Sequence, residues 1–137
     1  MGRKSKINYK YTEPKEEYYH NSNFNLEIRL SSILGAGKGV FTNDFIPSNT
    51  FIDNYTGIVM RYLSCGSYFV LLRDGYGIDA QEYPRCYMAM INDTKNSKFE
   101  YNCKIIIDNN NDLVEVWSIK NIDAGEELFF DYGDAYW

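Results

Sequence analysis

The chain has 137 residues, a length that suits one domain, and 17% of them are aromatic, including 13 tyrosines. Residues 1–15 hold five basic residues and one acidic residue, a net charge of +4, whereas the remainder holds nine basic and eighteen acidic residues, a net charge of −9. The acidic body disfavours nucleic acid and attracts a basic partner, so any nucleic-acid contact is expected only at the basic start.

Targeting and metal-binding patterns are not found in the sequence. It has neither a run of 18 apolar residues nor an apolar signal core, so we expect no membrane span and an intracellular setting. The three cysteines lack CxxC spacing and predict neither a disulfide framework nor a metal site.

The predicted elements are short and mostly strands. Residues 1–23 are polar and irregular, which predicts a basic N-terminal arm before a domain over residues 24–137. Alternating apolar residues from Leu26 to Leu30 predict a half-buried strand. Many short strands at close spacing predict a mainly β domain. Strands are predicted over residues 26–30, 40–41, 51–55, 58–63, 68–72, 76–79, 103–107, 113–119 and 127–130, hairpin turns at 74–75 and 108–112, and one short helix over 82–91.

A glycine cluster, Gly35-x-Gly37-x-Gly39, follows the first of these strands. Glycine lets a backbone approach a ligand without interference from a Cβ atom. The cluster is not a dinucleotide fingerprint, because its third glycine comes one residue early and the next segment continues as a strand. It is not a phosphate loop either, because Gly39 follows Lys38 where Ser or Thr belongs. Taken alone, it fits either a plain turn between strands or a ligand loop.

Three further features stand out. Tyr68 opens a strand, where its hydroxyl points into a pocket or the ring is simply a core or surface tyrosine. Asn92 follows an apolar run, where it is either a half-buried amide that needs partners or a turn residue. The most specific stretch is residues 123–137, which combine a turn, an apolar pair, an acid, Tyr132 and an aromatic terminus.

In order and rough spacing these features resemble the SET-domain protein lysine methyltransferases over residues 26–137. The closing motif is highly specific, the asparagine motif partly so, and the glycine motif only in context. The Tyr-Gly-Asp-x-Tyr-Trp ending is most similar to small viral SET proteins and to the cores of larger histone methyltransferases. The motifs that carry the resemblance are Gly37-Lys38-Gly39-Val40-Phe41, Tyr55-Thr56-Gly57, Ser67-Tyr68-Phe69, Ile78-Asp79-Ala80, Ile91-Asn92 and Gly125-Glu126-Glu127-Leu128-Phe129-Phe130-Asp131-Tyr132-Gly133.

The resemblance implies a mainly β SET-domain fold of several small sheets, with a C-terminal segment threaded under a preceding loop as a pseudoknot. It implies S-adenosylmethionine as the methyl donor and a lysine side chain as the acceptor, entering from opposite faces. The default substrate is a basic protein, a histone tail, and the expected compartment is a nucleus, or a host nucleus for a viral protein.

The resemblance also implies roles for individual residues. Tyr132 would be the catalytic phenol, Tyr68 would line the methyl-transfer pore, and Asn102 would fasten the threaded segment. No metal is needed, because a dry aromatic channel lowers the pKa of a lysine and oxygen dipoles and ring faces favour the positive charge of a sulfonium. The implied cofactor-binding residues are Ala36, Gly37, Lys38, Gly39, Tyr68, Asn92, Asp93 and Tyr132.

The substrate channel is expected to include Phe130, Tyr136 and Trp137. Position 130 in this family is either Phe or Tyr, and a phenylalanine leaves room for a methylated amine to turn and react again, which predicts di- or trimethylation. We expect Tyr136 and Trp137, the N-terminal arm or a second subunit of a homodimer to complete the channel wall.

Three positions depart from the family pattern. Asp93 stands where histidine is usual, Ala89 where arginine is usual, and Arg85-Cys86 where Gly-Asn is common. The charge of Asp93 would either weaken cofactor binding or face solvent. These departures leave an alternative open: a SET-fold module that binds a peptide or partner and transfers methyl groups slowly or not at all.

Overall fold

The computed structural model describes residues 15–133, which form four small β-sheets around one apolar core. This confirms the prediction of a mainly β fold. Within residues 15–133, no helix has the length and apolar character needed to cross a membrane. The strands are β1 (Tyr18–Tyr19), β2 (Leu26–Leu30), β3 (Lys38–Thr42), β4 (Phe51–Asn54), β5 (Ile58–Arg61), β6 (Phe69–Arg73), β7 (Tyr76–Asp79), β8 (Arg85–Cys86), β9 (Cys103–Asp108) and β10 (Leu113–Ser118), and 3-10 turns cover Tyr62–Ser64 and Tyr87–Met90.

Both predicted hairpins are present. Strands β6 and β7 pair antiparallel across the turn at residues 74–75, where Gly75 has a φ of +79° that favours glycine. Strands β9 and β10 pair antiparallel from Cys103 opposite Ser118 to Asp108 opposite Leu113. Each hairpin gains a third strand, so the sheet orders are β5-β7-β6 and β9-β10-β4. Strands β6 and β9 are therefore edge strands.

The predicted helix over residues 82–91 is wrong. Arg85–Cys86 form β8, which pairs in parallel with β1, and Tyr87–Met90 form a short 3-10 turn. Met88, Ala89 and Met90 are all buried, so this turn has no exposed face like that of an amphipathic helix. The pairing of β8 with the distant β1 and the burial of Met88, Ala89 and Met90 favour this structure over the helix that the local apolar pattern predicted.

The two small sheets, β1-β8 and β2-β3, join the start of the described chain to the core. Strand β1 lies in the described end of the predicted arm, and the ring of His20 packs against that of Tyr87 with centroids 4.6 Å apart. In the β2-β3 pair, Val40 is fully buried. The strand β3 begins at Lys38, so the second half of the glycine motif lies within a strand instead of a loop.

The closing segment, residues 127–130, lies between β3 and the loop over residues 92–102. On one side Leu128 donates its N–H to the carbonyl oxygen of Val40 at 2.8 Å, and on the other Cys103 donates its N–H to the carbonyl oxygen of Phe129 at 3.0 Å. The predicted strand over 127–130 is wrong in kind, because its residues form isolated bridges to two different neighbours and no ladder. Each neighbour meets the segment at a single bridge, one antiparallel and one parallel, so no run of consecutive pairs forms.

Candidate active site

A cavity of about 510 Å³ lies at the closing segment. Its wall includes Ala89 and six aromatic residues, which are Tyr55, Tyr68, Phe69, Tyr101, Phe130 and Tyr132. This size and apolar character are typical of sites that enclose a small molecule or one long side chain. Three of the six aromatic residues, Tyr68, Phe130 and Tyr132, come from the predicted site.

Tyr132 is fixed at two points. Its hydroxyl donates a hydrogen bond to the carbonyl oxygen of Ile91, and its backbone N–H donates to Oδ2 of Asp93 at 2.8 Å. Its ring packs against that of Phe130 with centroids 5.5 Å apart and planes inclined by 60°. Because the hydroxyl is the donor in the bond to Ile91, its oxygen keeps acceptor capacity, which suits a positively charged group.

Tyr68 is held by a buried arginine that the sequence marked only as a departure from the family pattern. The guanidinium of Arg85 lies 3.8 Å from the centroid of the Tyr68 ring and 4.3 Å from that of Tyr83. Arg85 is 4% exposed, and its Nε donates to the carbonyl oxygen of Ala80 at 2.9 Å. The guanidinium stacks on both rings while a backbone oxygen accepts a hydrogen bond from it. This stacking fixes the orientation of the Tyr68 ring in the cavity wall.

The glycine segment and Asn92 lie together. Asn92 is half-buried and donates from Nδ2 to the carbonyl oxygen of Lys38 at 3.0 Å, so its amide has a partner, as one of the two interpretations of the sequence expected. Gly37 has a φ of +75°, and among residues 15–133, its two chain neighbours aside, no atom lies within 4 Å of where a Cβ would stand. A left-handed backbone beside open space suits a ligand that approaches main-chain atoms. The Lys38 ammonium is used elsewhere, in an exposed ion pair with Glu16 at 2.9 Å.

Glu127 links these elements from inside the fold. It is 4% exposed, and its carboxylate accepts bonds from the Ser31 hydroxyl and the Ser32 N–H, both at 2.7 Å. Its Oε2 also lies 3.4 Å from Nδ2 of Asn92. A Cβ on Gly39 would come within 2.2 Å of the same oxygen. Glycine at position 39 thus makes room for a buried carboxylate, a reason other than the predicted approach to a ligand.

Asn102 fastens the closing segment with both ends of its amide. Nδ2 donates to the carbonyl oxygen of Glu127 and Oδ1 accepts from the N–H of Phe129, each at 2.8 Å. The side chain is 7% exposed. This is the contact that the resemblance implied for the second asparagine.

Asp93 does not face solvent. The residue is 7% exposed, and its carboxylate is engaged by the N–H of Tyr132 and the hydroxyl of Tyr101. The expectation that Asp93 faces solvent is therefore wrong.

The environment of the cavity disfavours charged groups. Burial raises the pKa of the Tyr55 phenol, and burial raises the pKa of the Cys103 thiol to about 12. Both residues line the cavity. The same desolvation would lower the pKa of an amine placed there, because it disfavours whichever form carries charge.

The structure divides the predicted residues into two groups. Tyr68, Phe130 and Tyr132 line the cavity, whereas Lys38 and Asn92 meet at the glycine segment and do not line it. Ala36 precedes that segment, and its N–H bonds to the carbonyl oxygen of Ile33. Tyr136 and Trp137 lie outside the described residues. Within the described part of the chain, no three His, Cys, Asp or Glu side chains form a group that could hold a metal ion.

Sequence reasoning gave no site role to several residues that line or support the cavity. Arg85 and Glu127 each stand directly before apolar residues, which is a usable signal because a buried charge must be bonded. Tyr101, by contrast, stands in a polar loop and gives no local signal. The residues without a predicted site role are Tyr55, Arg85, Ala89, Tyr101 and Glu127.

Comparison with known proteins gives the following matches. A protein-family model described as the SET domain matches residues 37–133. The fold is similar to that of KRYPTONITE solved in complex with mCHH DNA, an H3(1-15) peptide and SAH, with a TM-score of 0.65 and 25% identity, covering 82% of this chain and 24% of that one. A KRYPTONITE structure with mCHG DNA and SAH gives a TM-score of 0.66 at 24% identity, with the same two coverages. No curated protein matches the chain. The chain thus spans about a quarter of the length of these solved proteins.

Proposed function

This chain belongs to the SET-domain family, and we propose on that premise that it is an S-adenosylmethionine-dependent protein lysine N-methyltransferase. The family match confirms the resemblance found in the sequence. The observation that carries the proposal is the convergence of Tyr68, Phe130 and Tyr132 on one desolvated cavity.

The residues present fit the cofactor. The aromatic faces and the phenol of Tyr132 suit a sulfonium, and the left-handed backbone at Gly37 suits a ligand held through main-chain groups. Ala36, Lys38, Gly39 and Asn92, with the backbone of Asp93, are the other residues proposed to hold it. When bound, S-adenosylmethionine would supply an electrophilic methyl group on a positively charged sulfur.

The chain's own residues would prepare the acceptor. Desolvation in the cavity favours the neutral amine of a lysine, whose lone pair is needed to form the new bond to carbon. Tyr68 and Tyr132 would confine the side chain so that the nitrogen lies in line with the methyl group. The phenol oxygen of Tyr132, with its proton directed at Ile91, would stabilise the positive charge shared along the reacting line.

Phe130 supports a product with more than one methyl group. Its side chain is 1% exposed, lies beside Tyr132 and brings no hydroxyl into the cavity. Without a hydroxyl to hold a water or the amine, a methylated amine has room to turn and react again. We therefore propose di- or trimethylation.

A histone tail in a nucleus, or in the nucleus of a host, is the proposed substrate. Residues 16–137 carry a net charge of −9, which attracts a basic peptide, and the similar KRYPTONITE structure holds an H3(1-15) peptide. The cavity takes wall residues from β6 and β9, which lie at the edges of their sheets within residues 15–133, and an extended peptide can add to a sheet edge. Nucleic acid is not proposed for this body because its charge is unfavourable.

One observation favours the alternative, a SET-fold module that binds a partner and transfers methyl groups slowly or not at all. Ala89 lines the cavity at the position where the family usually has arginine, so no side-chain charge is supplied there. Calorimetry with S-adenosylmethionine separates the two proposals, since a module without the donor site would give no heat of binding.

The test of the proposal is methyl transfer from radiolabelled S-adenosylmethionine to core histones and histone peptides. Tyr132→Phe keeps the ring and removes the hydroxyl, and we expect it to lower turnover by ~100-fold while the protein stays folded. Tyr19→Phe, a change of the same kind at a site 38% exposed, is the control. Unchanged turnover in Tyr132→Phe would remove the catalytic role of the phenol.

A further inference from the structure

A buried carboxylate stands behind the wall of the cavity. Asp93 follows Asn92 directly, is 7% exposed, and does not line the cavity itself. A carboxylate kept from water is costly unless its oxygens accept hydrogen bonds. The groups that donate hydrogen bonds to the Asp93 carboxylate therefore indicate the role of this buried residue.

Two of these partners are tyrosines of the cavity wall. Oδ2 accepts the backbone N–H of Tyr132 at 2.8 Å, and Oδ1 accepts the hydroxyl of Tyr101 at 2.9 Å. Tyr101 and Tyr132 both line the cavity. Oδ1 also accepts the N–H of Lys95 at 2.8 Å, a local turn that fixes the carboxylate relative to its own backbone. Hydrogen bonds to an ionised acceptor are about twice as strong as those between neutral groups.

The same short segment fixes both ends of Tyr132. Ile91 accepts its hydroxyl and Asp93, two residues later, accepts its backbone N–H. Tyr101 lies 31 positions before Tyr132 in the chain, and the carboxylate joins the two. Burial raises the pKa of Tyr101, and so does the neighbouring charge of Asp93, which keeps the phenol in its donor form. A neutral histidine has one acceptor nitrogen and could not receive all three of these bonds.

We propose that Asp93 is a positioning residue whose carboxylate sets Tyr132 and Tyr101 in the cavity wall. Its side chain acts through these tyrosines and does not bind the methyl donor. Only the kinetic part of this proposal rests on the proposed function, because the placement of the two tyrosines can be measured without methyl transfer.

Asp93→Asn tests the role with little change of shape. It removes the charge and replaces one acceptor oxygen with an NH2 group that cannot accept. We expect kcat at saturating S-adenosylmethionine to fall about tenfold, the equivalent of one charge-assisted hydrogen bond, while the Kd of the donor from calorimetry stays within about twofold.

Asp53→Asn is the matched control. Asp53 is 6% exposed and its carboxylate also accepts backbone N–H groups, from Asn21 and Asn54, but it does not line the cavity. We expect a comparable loss of thermal stability with no loss of kcat once folded. An equal fall of kcat in both variants would overturn the positioning role, and so would a weaker donor Kd with an unchanged kcat in Asp93→Asn.

A second measurement does not depend on activity. In Asp93→Asn, hydrogen exchange of the Tyr132 amide should become faster, and the ring signals of Tyr101, assigned by their loss in Tyr101→Phe, should shift. Neither should change in Asp53→Asn. Unchanged signals overturn the proposal even if methyl transfer is seen, whereas changed signals without any methyl transfer retain it and count against the proposed function.

Tyr101→Phe keeps the proposal falsifiable if Asp93→Asn does not fold. It removes one of the bonds to the carboxylate and leaves the acid in place. We expect a smaller fall in kcat, of about threefold, with the Kd of S-adenosylmethionine unchanged. If kcat and the exchange of the Tyr132 amide both match those of the unaltered protein, the carboxylate does not set the wall through Tyr101.

Discussion

The crossing of residues 127–132 with the loop over 92–102 and the cavity beside it are built in opposite ways. At the crossing, buried polar groups meet at fixed distances, as where Asn102 bonds two backbone groups of the closing segment. The cavity wall is mainly aromatic and aliphatic, and Phe130 brings no hydrogen-bonding group to it. The crossing fixes the position of the closing segment, whereas the cavity provides a space that excludes water.

The difference separates stability from activity. Loss of one partner at the crossing leaves a buried donor or acceptor unsatisfied, which costs about 1–3 kcal/mol for each group. A change in the cavity wall alters volume and polarity while the backbone bonds remain. Substitutions at the crossing should therefore weaken the fold first, and substitutions in the wall should alter the reaction first.

The largest effect is expected from Asn102→Ala, which breaks the crossing. It leaves the carbonyl oxygen of Glu127 and the N–H of Phe129 without the amide, so the free energy of unfolding should fall by about 2–5 kcal/mol. Urea unfolding followed by fluorescence measures it. Asn110→Ala, at an exposed hairpin position, is the control and should change the value by less than about 0.5 kcal/mol. Equal midpoints for the two variants would contradict this account of the crossing.

Phe130→Tyr tests the role of the cavity wall in the reaction. A hydroxyl placed on a ring that is 1% exposed should cost about 1–3 kcal/mol of stability and reduce the space for a methylated amine. We expect the product to shift toward monomethyl-lysine, measured by mass spectrometry of a methylated peptide. Phe45→Tyr, at a site 50% exposed, is the control. The same product distribution in both variants would remove the channel role of Phe130.

The smallest effect concerns pH at the boundary between the two regions. Burial raises the pKa of Cys103 from 9.0 to about 12, so the folded protein holds this proton more tightly than the unfolded chain does. Its contribution to the free energy of unfolding is present below pH 9.0 and is lost as the pH rises toward 12, at up to about 1.4 kcal/mol per pH unit.

Cys103→Ala should remove that part of the alkaline slope, measured by urea unfolding between pH 8.5 and 10.5. Cys65→Ala, at a partly exposed thiol whose pKa burial raises by less, is the control and should reduce the slope less than Cys103→Ala does. If Cys103→Ala has the same alkaline slope as the unaltered protein, the Cys103 thiol is not desolvated in the folded state.

Local patterns predicted the elements whose partners are close in the chain. The hairpins at residues 74–75 and 108–112 follow from turn residues between apolar runs, and both are present. Residues 82–91 and 127–130 were assigned wrongly, because their partners are β1, β3 and the loop over 92–102, far away in the chain. Periodicity within a segment holds no information about such partners.

Residue types in a specific order were enough to predict the family, the mainly β class and three of the aromatic residues that line the cavity, Tyr68, Phe130 and Tyr132. Only the tertiary structure decided how the buried charges are used. Arg85 stacks on Tyr68, Glu127 fills the space left by Gly39, and Asp93 holds the backbone of Tyr132. The physical reason is that a buried charge is tolerated only where distant segments supply its partners, and the fold alone brings those segments together.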